Sequence, residues 1–477
     1  MFYRKGVNHI RKFVDRINEL RTLQEEYDSP NSNFVVIYGR RRVGKTELIS
    51  EFLRRHELGL YFLATEESEW QNRRSFRNMV ADFTGNQLLR IADVEWIDIF
   101  EQIIKFKPSE KKIIVIDEFQ YIGMSNGAFP SIIQKIWDTV MKNSNIMFII
   151  CGSYVSLMKS QTLDYSSPLY GRRTAQIKLK QIEFKYYNEF YGDKSNEELI
   201  PFYAVTGGIP KYVEMISSYK DVYLAIEKSV LNKQSFLYEE PYFLLQKEVT
   251  EIGSYFSLIK TIAFGNHKLS DISSEMGIKS TSITKYLKVL IDLDLVEREV
   301  PITEPNPEKS KKGLYKLKDN YIAFWFKFIY PYRSFLEKGE NDFVLNKIKS
   351  GLVQNYVSYI YEDIARENMW ELNMKDSWQF RFNKLGRYWG IKTGELDIVA
   401  IDTIGNNLIV GECKYSKSKK GLEVLHLLQE KGEVIKQITK SKNVEYIIFS
   451  TGGFTKGLMD ESNINSRVKL INKLDWT

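Results

Sequence analysis

Three sets of residues in this sequence have types and spacings suited to phosphate chemistry. The first is Gly39-x-x-x-x-Gly44-Lys45-Thr46. Gly39 lets the chain turn sharply and Gly44 lets backbone come close to an anion. In the loop Gly39, Arg40, Arg41, Arg42, Val43, Gly44, Lys45, Thr46, successive N–H groups and a following helix N-terminus would cradle a nucleotide's phosphates. Lys45 would reach the β- and γ-phosphates and Thr46 would offer its hydroxyl to Mg²⁺. The second set is the acid pair Asp117-Glu118. Asp117 would hold the Mg²⁺ shell and Glu118 would polarise an attacking water, the two acid roles that ATP hydrolysis needs. The third is Asp397 followed by Glu412-x-Lys414, with Glu362 upstream. Asp397 and Glu412 can chelate a divalent cation while Lys414 positions a water or stabilises charge at phosphorus, the needs of a metal-dependent phosphodiesterase.

Each set requires particular elements to hold it. Phe34 to Tyr38 is apolar and β-prone, and Glu47 to Arg55 has a helical pattern. The glycine loop therefore lies in a strand, loop, helix context, with the strand of the buried parallel type. KKIIVIDE, Lys111 to Glu118, is a second buried strand whose acids stand at its carboxyl end, where open parallel sheets bind ligands. Leu60 to Ala64 is a third strand, and Asn145 to Ser153 a fourth that ends in Gly152-Ser153. Near the C-terminus Gly394 to Ala400, a turn at Gly405-Asn406-Asn407 and Leu408 to Tyr415 form adjacent strands. Alternation puts Glu412 and Lys414 on one face. Glu395 is a rival to Asp397, two residues away on the same strand face. Lys384, Arg387, Lys392 and the Lys417/Lys419/Lys420 cluster are candidates to neutralise backbone phosphates.

Composition sets the bounds. A chain of 477 residues is too long for one core, and about three domains are expected. Hydrophobic content of 43% and charged content of 27% are those of a soluble globular protein. The formal charge of +7 permits a nucleic-acid partner without requiring one. Cys151 and Cys413 lie in apolar strand contexts and read as buried thiols of a reducing cytoplasm. Four histidines at no ligand spacing argue against a zinc site. Met1 to Arg16 is charged and lacks a signal-peptide core, and Tyr321 to Tyr332 is too short to span a bilayer.

The intervening chain carries weaker signals. Ser153 either senses the γ-phosphate or caps a helix. Arg172, in Leu169-Tyr170-Gly171-Arg172-Arg173, is either a γ-phosphate finger or part of a solvated turn. Thr206-Gly207-Gly208-Ile209-Pro210 is at least a helix break. Leu269 to Glu297 reads as a winged helix-turn-helix, with Ser270 capping a helix through Met276, Gly277 turning, and a second helix from Ser280 to Asp292. Leu295 to Val300 and Gly313 to Lys318 would flank the wing. Lys279, Lys285 and Lys288 would meet phosphate, and Ser280, Thr281, Ser282 and Thr284 would face bases, unless the domain only packs or binds protein.

Taken together, these motifs resemble a prokaryotic, mainly archaeal, ATPase family of the STAND/AAA+ type with a C-terminal nuclease-like domain. Phe13-Val14-Asp15-Arg16 with Glu19-Leu20 resembles that group's F-V-x-R-x-x-E-L motif, which folds back over the adenine. Ser153 matches the sensor-1 position, and Gly208-Ile209-Pro210 the G-x-P motif whose proline packs near the base. Asp397, Glu412 and Lys414 match the D…E-x-K pattern of PD-(D/E)XK nucleases, with Glu362 at its first acidic position. The resemblance implies an α/β fold. A P-loop NTPase core spans 1–182, a helical lid 183–255, a winged helix 256–335 and a PD-(D/E)XK-like α/β domain 341–477. It implies ATP and Mg²⁺ as cofactors, nucleic acid (DNA favoured) as partner, a homo-oligomer left open, and no membrane. Two functions stay open. One is a switch whose ATP state controls a nuclease. The other is a regulatory ATPase whose C-terminal domain binds without cutting.

Overall fold

A computed structural model describes residues 13–192, 194–249, 251–391, 393–472 and 474. Most of Met1 to Arg16 and the phosphate-neutralising candidate Lys392 lie outside the described residues. The chain divides into two compact units, Met1–Ile182 with Ile209–Lys211, and Glu183–Gly208 with Tyr212–Thr477.

The first unit is built on a five-stranded parallel sheet in the order β2-β3-β4-β1-β5. Its strands are β1 Asn33–Tyr38, β2 Gly59–Leu63, β3 Lys112–Asp117, β4 Ile146–Gly152 and β5 Ala175–Lys178. Every residue of β1, β3 and β4 is buried, which accounts for their unbroken apolar runs: the crossover helices cover both faces. Each fully buried Val, Ile or Phe here contributes about 1.5–3 kcal/mol relative to exposure. The edge strands β2 and β5 alternate between cover and exposure. In register, Tyr38 pairs Gly152 and Lys178, and Leu63 pairs Asp117. Because the strands are parallel, the residues following β1, β3 and β4 all emerge at one sheet edge. Helix α1 (Ile17–Asp28) precedes β1, and α2 (Lys45–Leu53) follows the glycine loop.

The second unit begins with helices. Helix α3 (Pro210–Ile216) starts at the proline of the Gly-Ile-Pro break, with Pro210 and Lys211 in the first unit and the rest in the second. A helix-turn-helix follows: α4 (Ile252–Ala263), α5 (Leu269–Met276) and α6 (Ser280–Asp292). Gly277 turns between α5 and α6 at φ +63, a left-handed conformation that suits glycine. Ser270 is not the cap: Lys268 holds that position, and the Ser270 hydroxyl donates to Asp271 at 2.9 Å from inside the first turn. Ile283, Leu287 and Leu290 bury one face of α6, while Lys279, Thr281, Thr284, Lys285 and Lys288 are exposed. Strands β6 (Val296–Glu299) and β7 (Leu314–Leu317) pair antiparallel as the wing hairpin.

The C-terminal part is a mixed five-stranded sheet in the order β12-β11-β10-β9-β8. The strands are β8 Lys384–Gly390, β9 Gly394–Asp402, β10 Asn407–Lys414, β11 Asn443–Ser450 and β12 Val468–Ile471. β9 runs antiparallel to both β8 and β10, and β10 runs parallel to β11. One face packs Val399, Leu408, Val410, Tyr446 and Ile448 against Leu425, Leu428 and Ile435 of helix α8 (Leu422–Thr439). Helix α7 (Ser358–Met374) packs on β9 and β10. Both cysteines are buried free thiols. No helix among the described residues is long and apolar enough to cross a membrane.

Candidate functional site

At the carboxyl edge of the first sheet the two phosphate motifs meet side chain to side chain. A Cβ on Gly39 would stand 2.3 Å from the Leu179 carbonyl, so only glycine lets β1 leave the sheet here. Gly44 caps α2 at φ +95. Lys45 is buried, and its Nζ donates to the Gly39 and Arg40 carbonyls at 2.8 and 3.0 Å, which holds the ammonium inside the loop. Arg40 and Val43 are buried, and Arg42 takes a left-handed backbone at φ 74. The Arg41 guanidinium donates to the Tyr121 hydroxyl at 2.7 Å and lies over the Tyr154 ring at 5.3 Å. Arg16, just ahead of α1, donates to the Val43 carbonyl at 3.0 Å and the Lys180 carbonyl at 2.6 Å, so the N-terminal segment is tied to the loop. Pro210 Cγ lies 3.8 Å from the position of a Cβ on Gly44.

Thr46 Oγ1 donates to Asp117 Oδ2 at 3.1 Å. The same oxygen accepts the Tyr61 hydroxyl at 2.6 Å, and Oδ1 accepts the Glu118 N–H at 2.9 Å. Burial, and then the Asp117 charge, pushes the Tyr61 phenol above its ordinary value. Glu118 itself sits at φ 55, a strained conformation for a side-chain-bearing residue that costs on the order of 1–3 kcal/mol. Its Oε2 accepts the Ser153 hydroxyl at 2.8 Å, the Ser153 N–H at 3.2 Å, and the Gln120 amide. Ser153 thus meets the acid rather than capping a helix. These residues fit a phosphate chain with Mg²⁺: a buried lysine inside a glycine loop, and hydroxyl and carboxylate oxygens, the ligands a hard cation takes.

Arg172 does not join them. It lies just before β5, and so at the amino edge of a parallel sheet, opposite the glycine loop. There its Nε donates to Asp138 at 3.1 Å and its Nη2 at 2.8 Å. The structure therefore does not bring Arg172 to the glycine loop.

The third set comes together in the C-terminal part. The Cys413 N–H donates to Asp397 Oδ2 at 2.9 Å, and Lys414 Nζ donates to Glu412 Oε1 at 2.6 Å. Burial and then the Asp397 charge push Glu362 up to about 8 and raise Glu412 as well, so the three acids share one electrostatic site. Burial disfavours the Lys414 ammonium, but Glu412 more than offsets it and holds the amine above its ordinary value. Arg366 of α7 donates to the Asp397 carbonyl at 2.8 Å, and Lys431 of α8 to the Glu395 carbonyl at 2.8 Å. Glu395 is exposed, 3.5 Å from Arg387. Arg387 is three-quarters or more covered and already bridged to acids, whereas Lys384, Lys417 and Lys419 are exposed. Carboxylate oxygens of Asp397 and Glu412 are of the right type for a divalent cation. Among the described residues, however, no three His, Cys, Asp or Glu side chains are grouped to hold a metal ion.

Residues 13–216 match a family model described as an ATPase domain predominantly from Archaea, and residues 325–425 match one described as archaeal and bacterial proteins of unknown function. The uncharacterized protein MJECL04 of Methanocaldococcus jannaschii is 37% identical over 407 residues, 85% of this chain and 88% of that protein. The chain belongs to this archaeal ATPase family. An uncharacterized ATP-binding protein of the same organism, MJ0423, is 49% identical over 41 residues, 9% of this chain and 70% of that one. Among solved structures, the Walker-type ATPase PABY2304 of Pyrococcus abyssi is 19% identical, over 66% of this chain and 96% of that chain, at a TM-score of 0.47.

Membership of the ATPase family implies nucleotide binding, and Lys45, Thr46 and Asp117 meet at the carboxyl edge of the first sheet. Sequence reasoning missed Tyr61 and Gln120 there, and Arg366 and Lys431 in the C-terminal site. Tyr61 could have been found by counting: it stands two residues before Leu63, which pairs Asp117.

Proposed function

We propose that this chain is a Mg²⁺-dependent ATP-hydrolysing switch whose nucleotide state controls a C-terminal, metal-dependent phosphodiesterase acting on DNA. The observation that carries the ATPase half is the 3.1 Å bond between Thr46 and Asp117, because it joins two motifs 71 residues apart. Lys45 and the loop N–H groups neutralise the phosphates. Thr46 and Asp117 would hold Mg²⁺, which supplies further charge neutralisation. Glu118 takes a proton from the attacking water, and its release from Ser153 and Gln120 is part of the working cycle. The Phe13-to-Leu20 segment, tied to the loop through Arg16, would cover the base. Arg172, at the far sheet edge, is available only to a neighbouring copy in a homo-oligomer. The four-part division at 1–182, 183–255, 256–335 and 341–477 belongs to the same proposal.

In the C-terminal site Asp397 and Glu412 would hold a divalent cation, which would act as a Lewis acid on a phosphodiester. Lys414 orients the water, and Glu362 adds or steers a ligand. Coupling would run through Gly208-Ile209-Pro210, where the chain passes from the second unit into the first and back. A scattering comparison of nucleotide-free and ATP-bound protein tests this, and identical profiles count against it.

The ATPase half is tested by ATP turnover in Lys45→Ala. Loss of binding or hydrolysis is expected; unchanged turnover refutes it. A second reading, in which the C-terminal domain binds without cutting, is favoured by one observation: no three metal-binding side chains are grouped among the described residues. Nicking of plasmid DNA with Mn²⁺ separates the two.

A further inference from the structure

Two chains of charge lead from the wing hairpin into the carboxylate site. On β7, Lys316 Nζ lies 3.1 Å from Asp363 of α7 and 2.9 and 2.7 Å from Glu297 and Glu299 of β6. Asp363 is bonded to Arg366, and the other arm of Arg366 donates to the Asp397 carbonyl at 2.8 Å. On β6, Glu299 lies 3.5 Å from Arg387 of β8, which lies 3.8 Å from Glu362 and 3.5 Å from Glu395. The backbone follows the same route. The Ile302 N–H donates to the Arg387 carbonyl at 2.9 Å, and the Ile302 side chain fills the space beside Gly386, where a Cβ would stand 3.2 Å from it. β8 is the edge strand of the C-terminal sheet, so the loop between β6 and β7 covers that edge at Arg387.

Exposed ion pairs of this kind are worth little singly. Here Arg366, Arg387 and Lys316 are mostly covered; Arg387 and Lys316 each serve three acids and Arg366 joins Asp363 to the Asp397 carbonyl, so removing one leaves partially desolvated polar groups unmatched.

We propose that the wing hairpin is part of the carboxylate site, with Lys316 and Glu299 as positioning residues: Lys316 sets Asp397 through Asp363 and Arg366, and Glu299 sets Glu362 through Arg387. This rests on reading the acids as a metal site. Partners of this kind, one step removed from the ligands, orient them, and their loss typically lowers metal affinity about 10–100-fold. A consequence is linkage. A nucleic acid that draws the wing away changes metal affinity at the acids, and the metal changes nucleic-acid affinity by the same factor.

The test is Mn²⁺ titration by calorimetry on the nucleotide-free full chain, with Asp397→Ala to assign the heat and ATP turnover of the first unit as a folding control. Lys316→Met and Glu299→Gln are each expected to weaken the Asp397-dependent binding by about 10–100-fold. Lys316→Arg should retain it, and the exchange Glu299→Arg with Arg387→Glu should recover part of the loss seen with Glu299→Arg alone. Wild-type affinity in both Lys316→Met and Glu299→Gln overturns the proposal while leaving the metal site standing. Absence of any Asp397-dependent Mn²⁺ binding in the wild type instead removes the metal reading itself, and the proposal with it.

Discussion

The two sites of this chain are built in opposite ways. At the proposed nucleotide site the groups come from short motifs at the ends of neighbouring parallel strands. Thr46, Asp117 and Tyr61 touch directly, and Glu118 is held by its near neighbours Gln120 and Ser153. In the C-terminal site the surroundings of the acids are tied by cations from α7, α8, β8 and the wing: Arg366 and Lys431 bond the Asp397 and Glu395 carbonyls, Arg387 lies 3.8 Å from Glu362, and Lys316 pairs Asp363. Two of those acids, Glu362 and Glu412, are pushed toward their neutral forms by burial and by the Asp397 charge. Strand topology alone delivers the first site. The second depends on long side chains reaching in from other elements, which makes it the more easily disturbed.

The largest effect expected is at Glu118. Glu118→Gln keeps the hydrogen-bonding shape but removes the base, so ATP should stay bound while hydrolysis falls by about 10²–10⁴-fold. Nucleotide retention on a desalting column alongside phosphate release measures both. Turnover within a few-fold of wild type would show that the acid is only structural.

A smaller effect sharpens the same point. Tyr61→Phe removes a 2.6 Å bond to the Asp117 carboxylate. A hydrogen bond to a charged group is worth about 1.5–3 kcal/mol, so loss of order tenfold in ATP turnover is expected, with a raised Mg²⁺ requirement. An unchanged Mg²⁺ profile would place Tyr61 outside the working site.

Legibility followed the same division. Buried strands β1, β3 and β4 announced themselves as apolar runs, and with them Gly39, Lys45, Thr46 and Asp117. The edge strands β5 and β8 did not: Ala175–Lys178 is short and half-covered, and Lys384–Gly390 mixes glycine, aromatics and charge. Arg172, read as either a γ-phosphate finger or part of a solvated turn, follows β4 in sequence. The intervening loop, however, returns the chain to the amino edge before β5 begins. Glu412 and Lys414 were legible through strand alternation. Arg366 was not, because one arginine on a helix carries no spacing signal until the fold brings it to the Asp397 carbonyl. Nor was the wing contact, since Lys316 and Glu299 read as ordinary alternating charges on a hairpin.

The smallest effect concerns pH and the second unit alone. Glu367 of α7 is half-buried, and desolvation of its carboxyl, then the Glu183 and Asp363 charges, push it up to about 8. Its folded value exceeds the unfolded one of about 4.3. The neutral acid therefore favours the folded state, a contribution fully present below about pH 4.3 and lost as pH rises through about 8. Scanning calorimetry should show the Tm of wild type falling between pH 6 and 9, with a shallower fall in Glu367→Gln. Parallel slopes in the two proteins would exclude Glu367 as the source.

The claim that nucleotide state controls a phosphodiesterase is tested most directly by one assay: supercoiled plasmid with Mn²⁺, with and without ATP, using wild type and Asp397→Ala. Expected is nicking by wild type at a rate that ATP changes, absent in Asp397→Ala while that variant's ATP turnover persists. Nicking that survives in Asp397→Ala, or a wild-type rate identical with and without ATP, would contradict it.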